Sequence, residues 1–153
     1  MTREDRAGRG RVEVAYDCFR FKHVAGTVAR AVRAALFFGK KEKTAVFVFL
    51  VSDSVMAKIN RETRGKNRAT NVLSFVPPGG FPHPEAGDKN PYLGEIYLAP
   101  DFIKKSREDI AFLAIHAALH LLGYSHAQNN DRIEMEACEK KIYSAYVKHH
   151  HRN

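Results

Sequence analysis

Apolar and polar positions alternate over residues 11–17, with Val12, Val14 and Tyr16 on one side, which predicts a first strand. The period then lengthens. Val24, Val28, Val32 and Leu36 recur every fourth residue, so a helix is expected over 24–38, with Gly39 as its stop. Residues 44–51, TAVFVFLV, form an unbroken apolar run that suits a strand covered on both faces. Asp53 or Ser54 is expected to cap a helix over 55–63 that Gly65 ends. Strands are expected over 71–76 and 94–99. Between them PPGGFPHPEAGDKNP carries too much proline and glycine for regular structure. Ser106, with Asp109 three residues on, reads as a capping box opening the longest helix, which runs to Leu122 and stops at Gly123. A last helix is expected over 131–147, with fraying of 1–10 and 148–153.

Strands and helices in this order predict an α+β (α/β-like) fold. The expectation is a small mixed β-sheet packed by helices, with the helix ending at Leu122 at its centre. The 153 residues fit a single domain with one core. With 44% hydrophobic and 27% charged residues, a disordered or fibrous chain is excluded. Cys18 and Cys138 are too few for a disulfide framework and form no CxxC pair; both read as small, at least half-buried apolar groups. This usage and a charged N-terminal stretch without an apolar core predict a cytoplasmic protein. Residues 110–130 carry no Asp, Glu, Lys or Arg. Three histidines and a glycine there argue for a buried helix and turn, and no membrane association is expected. The net charge of +8 favours polyanionic partners, although a basic surface kept for solubility would have the same charge.

Chemistry concentrates in HAALHLLGYSH. His116 and His120 are four apart on a predicted helix, so their rings share a face one turn apart. Gly123 can fold the chain back, which returns His126 to the same place. Two histidines at that spacing are weak evidence alone. Three imidazoles in an apolar helix and its turn would each cost desolvation energy, and one shared metal ion accounts for all three. One zinc ion held by His116, His120 and His126 is therefore expected, with a position left open as in catalytic sites. The spacing HxxxHxxGxxH is also that of the metzincin proteases, but Ala117 stands where those enzymes carry their glutamate base, which argues against peptide hydrolysis.

A second group lies in NRETRGKNRATNVLSF. Arg61, Arg64, Lys66 and Arg68 fall within eight residues at a helix end and turn. A guanidinium fork suits phosphate, so these four are candidate RNA-binding residues, against the plainer reading of a solvated basic turn. Thr70, Asn71 and Ser74 are polar where a strand is expected and could line a cleft.

These segments resemble the YbeY family. HAALHLLGYSH is similar to its HG-x-LHL-x-GYDH signature, and RGKNRATNVLSF to RGKDKPTNVLSF or the TDVLSF variant. Leu93-Gly94-Glu95-Ile96 resembles its LGD-plus-aliphatic strand start, and Glu134-Met135-Glu136 its acidic last helix. The resemblance spans about 59–142. It implies a zinc-dependent endoribonuclease of ribosome biogenesis that acts on the 3′ end of small-subunit ribosomal RNA. It also implies zinc on the three histidines and a functional Arg64 near the metal. On this reading Arg64 and His116 are catalytic, and RNA, the small ribosomal subunit and ribosome-associated proteins are the partners. Glu95 is a candidate general base. Ser125 and Glu95 depart from the family's aspartates, Ala69 from its proline and Ala117 from its glycine. A zinc-stabilised, non-catalytic assembly or RNA-binding factor is the alternative, and a small metalloprotease a third that Ala117 disfavours.

Overall fold

The computed structural model describes residues 10–79, 81–84 and 89–150. Four strands, β1 (Arg11–Tyr16), β2 (Ala45–Leu50), β3 (Val72–Phe75) and β4 (Tyr92–Leu98), form one sheet in the order β1-β2-β4-β3. β1 and β4 both run parallel to β2, and β3 closes the edge antiparallel to β4. The apolar run predicted to be covered on both faces is the inner strand β2, of which only Phe49 is not fully buried.

Helix α1 (Lys22–Phe38) lays Val28, Val32 and Leu36 on the sheet, as its four-residue period requires. Helix α4 (Ile110–Leu121) lies against the same side and is buried nearly all round. Helix α5 (Asn129–His150) packs outside α1 and α4 through Met135, Glu139, Ile142 and Tyr146. Alternate residues of a strand point to opposite faces. Val46, Val48 and Leu50 therefore join the main core, while Phe49 turns to the other side. There Met56 of α2 (Asp53–Arg64) packs with Val51, Ala99, Leu73 and Tyr97.

Several boundaries differ from the sequence expectation. Ser106 does not open the central helix; it ends a short helix, α3 (Pro100–Lys105), that begins at a proline in its first turn. The left-handed Arg107, at φ 56°, separates the two helices. Asp109 is itself the N-cap of α4, its Oδ1 accepting from the Ala111 and Phe112 amides at 2.8 and 3.3 Å. The longest helix is consequently α5 with 22 residues, and it continues through Lys148, His149 and His150 where fraying was expected. Fraying of 1–9 and 151–153 concerns residues outside the described set. Smaller shifts place the start of β4 two residues early and Ser52, not Asp53 or Ser54, at the N-cap of α2. Gly65 ends that helix at φ 70°, as predicted.

Candidate metal centre

His116 and His120 project from one face of α4, half-buried, and the turn at Gly123 (φ 102°) brings exposed His126 to them. The ring centroids are 4.6, 5.1 and 5.0 Å apart, and one nitrogen from each ring lies within 4.8 Å of the others. The Nε2 atoms of His116 and His120 are 3.1 Å apart. Two nitrogens bound tetrahedrally to one zinc at about 2.0–2.1 Å stand roughly 3.3 Å apart, so the donor set fits such an ion.

The far sides of two rings are fixed. Nδ1 of His116 meets Oε1 of Glu139 in a short contact, and Nδ1 of His120 donates to the Tyr124 carbonyl at 3.0 Å. Each Nδ1 faces an oxygen that accepts, the Glu139 carboxylate or the Tyr124 carbonyl, so the proton sits on Nδ1 and each ring turns Nε2 inward as the free ligand atom. Two lone pairs 3.1 Å apart repel unless a cation or a proton lies between them. Burial, and then the neighbouring His116, hold the His120 imidazole below its usual range, which favours the neutral, metal-ready form.

Glu139 was not singled out from the sequence. It is 5% exposed and occupies the apolar stripe Met135, Glu139, Ile142, Tyr146 of α5. A carboxylate in helical register with apolar Met135, Ile142 and Tyr146 is the signal that could have found it. Beside the histidine turn, Asp131 and Glu134 of α5 line a polar depression of about 440 Å³ that also includes Ser125. Two carboxylates thus flank the position where this chain has serine.

The basic turn is well anchored. Buried Asn60 donates from Nδ2 to the Arg68 carbonyl at 2.8 Å, closing the loop that carries Lys66. Arg61, Arg64, Lys66 and Arg68 are all exposed. Arg64 places its guanidinium 5.6 Å from the Phe75 ring centroid. Phe75 ends β3 on the sheet face away from α4, in edge contact with Tyr97. The structure therefore gathers the three histidines and sets the basic turn across the β3 edge from them. β3 and α4 approach closely at Gly94, whose missing Cβ would press on the Phe75 carbonyl and on Leu121 of α4.

Glu95 belongs to the far side. Gly94, Ile96 and Leu98 face α4, so Glu95 and Tyr97 face away, and the Tyr97 hydroxyl donates to Glu95 Oε2 at 2.8 Å. That placement removes Glu95 as a base at the histidines. Asn71 is engaged locally: its Nδ2 donates to both Glu108 carboxylate oxygens at 3.1 and 3.2 Å, and its Oδ1 accepts from the Val72 amide. Cys18 and Cys138 are free and half-buried, as expected.

Residues 13–147 match the family described as Endoribonuclease YbeY. The chain belongs to the YbeY endoribonuclease family. An Endoribonuclease YbeY of Parvibaculum lavamentivorans is 36% identical over 129 residues, covering 76% of this chain and 70% of that one. The YbeY of Agrobacterium fabrum is 33% identical over 137 residues, covering 79% and 80%. A Thermotoga maritima protein solved in solution shares the fold, with a TM-score of 0.57 over 90% of each chain at 22% identity. The histidine signature and the basic turn by which the chain resembles YbeY both lie inside the matched span. Among the described residues, no helix is long and apolar enough to cross a membrane.

Proposed function

We propose that this chain is a zinc-dependent, single-strand-specific endoribonuclease that matures the 3′ end of small-subunit ribosomal RNA in the cytoplasm, in contact with the small subunit and its proteins. One observation carries the metal-dependent part: His116 and His120 point their Nε2 atoms at one another across 3.1 Å, with the third ring alongside. The RNA part rests on family membership and the +8 charge.

His116, His120 and His126 would hold the ion. Zinc bound there supplies Lewis acidity toward a phosphate oxygen and lowers the pKa of water to about 7. The three-histidine set leaves a position open for substrate. Arg64 would meet a phosphate as the strand passes the β3 edge, and Arg61, Lys66 and Arg68 of the same turn, which Asn60 closes through the Arg68 carbonyl, would follow the backbone beyond it. Ala117 has no proton to move, which keeps the site from working as a metzincin does.

The test pairs two variants with metal analysis on the purified chain. His120→Ala should lose bound zinc and cleavage of single-stranded RNA together. Arg64→Ala should keep zinc and lose cleavage roughly 10²-fold or more, as for removal of a charge-stabilising donor. If the Arg64 loss appears only in KM, the residue guides the strand and does not serve the reacting phosphate. Cleavage by His120→Ala at the unsubstituted rate would overturn the proposal.

A further inference from the structure

Glu139 lies on a different helix from all three histidines, yet it makes the closest contact to any of them. Its carboxylate is almost wholly buried between α5 and α4, and its Oε1 meets Nδ1 of His116. The other polar groups facing this pair are few. His120 bonds to the Tyr124 carbonyl, and Tyr124 engages Cys138, the residue before Glu139. Among the described residues, Glu139 is the one carboxylate whose contact with a member of the histidine cluster is seen. A buried carboxylate is costly unless it is compensated by a hydrogen bond and a nearby positive charge. The hydrogen bond comes from His116, and a divalent cation held among the three rings would supply the charge.

We propose that Glu139 is a positioning residue that ties the metal centre to helix α5. By holding the proton on Nδ1 of His116 it presents Nε2 as the ligand atom, and its negative charge, passed through the ring, strengthens that ligand toward the cation. The converse follows by linkage. If Glu139 strengthens metal binding in the docked position of α5, bound metal strengthens the docking of α5 by the same factor. α5 also meets the rest of the fold through apolar Met135, Ile142 and Tyr146 and through the polar pairs Tyr143–Asp109 and Cys138–Tyr124, but of these contacts Glu139's alone reaches a histidine of the cluster, so Glu139 is the point at which that helix senses the ion. This inference rests on the metal site of the proposed function, and it concerns affinity and helix docking, with no appeal to cleavage.

The experiment uses the full chain and two probes, Zn²⁺ by competition with a chelator and Co²⁺ by its visible spectrum. Glu139→Gln is nearly isosteric and keeps an acceptor for Nδ1 but loses the charge. It should bind Zn²⁺ about 10–100-fold more weakly and shift the Co²⁺ ligand-field bands. Glu139→Asp, which keeps the charge and shortens the reach, should fall between. Hydrogen exchange should show α5 amides gaining protection when Zn²⁺ is added to the unsubstituted chain, with most of that gain lost in Glu139→Gln. A residue that merely packs would leave both the affinity and the cobalt spectrum of Glu139→Gln unchanged, and that result overturns the inference. Should Glu139→Gln fail to fold, the order of Glu139→Asp and the unsubstituted chain decides the matter, and equal affinities reject it. No metal binding by the unsubstituted chain would reject the site itself together with this inference. Binding that is indifferent to position 139 rejects the inference alone.

Discussion

At the scale of single residues, Gly94 shows how little room the site leaves. Its φ of 140° suits glycine, and a Cβ there would meet the Phe75 carbonyl on one side and Leu121 Cδ2 at 3.0 Å on the other. Gly94→Ala should therefore cost about 1–3 kcal/mol of stability and displace the end of α4, weakening metal binding as well. Urea unfolding and zinc titration of the variant check both effects. His120 carries a second prediction. The folded state holds its imidazole below the ordinary value of 6.5, so as pH falls the unfolded chain takes the proton first. Its contribution to the stability of the metal-free chain is complete above the ordinary value and is lost as the pH drops through the lowered one. Bound zinc should leave in the same direction, because protons compete for the ligand nitrogens. Denaturation and metal retention at about pH 7.5 and about pH 5.5 test this, and greater stability of the metal-free chain in acid would contradict it. The histidine trio was legible in the sequence because its spacing is local, one helical turn plus a glycine bend. Glu139 was not, since its partner lies 23 residues away on another helix and only the docking of α5 on α4 joins them.

Among the elements, the start of α4 is held by one side chain used twice. Oδ1 of Asp109 caps the helix, and Oδ2 accepts the Tyr143 hydroxyl of α5. Asp109→Ala should cost about 1–2 kcal/mol for the lost cap alone. Asp109→Asn should recover much of this. The same bond raises the Tyr143 hydroxyl from 10.0 to about 12. A raised phenol contributes stability that is complete below its ordinary value and disappears as the pH climbs toward 12, so Tyr143→Phe should flatten the alkaline limb of the stability curve. Sequence periodicity located α1, β2 and α2 within a few residues because each has one apolar face or none exposed. It failed between Ala99 and Asp109. Pro100 in the first turn of a helix and a left-handed Arg107 are compatible with several local structures, and the capping-box pattern fitted Ser106 as well as Asp109 fitted the true cap.

For the molecule as a whole, charge sets the terms of RNA binding. Single-stranded RNA should bind less tightly as salt rises, by about 0.7 in logarithmic slope for each phosphate contacted. Removing Arg61, Arg64, Lys66 and Arg68 one at a time should lower the slope by about that amount for every true contact, with zinc content unchanged. A slope indifferent to all four would move the RNA path elsewhere. The class of fold was readable from the order of strands and helices. The sheet order was not, because nothing local in β3 says that it turns antiparallel at the edge while β4 slips in beside β2. That arrangement decided the fate of Glu95: a single residue's alternation along β4 put it on the face opposite the histidines.

Helix α5 comes last among the described elements, and it brings the carboxylate that grips His116. In chain order the sheet comes first, then the histidines, and the clasp after both. An ion captured before α5 docks would therefore be held more loosely than one clasped afterwards, so that tightening of the centre and settling of this helix coincide.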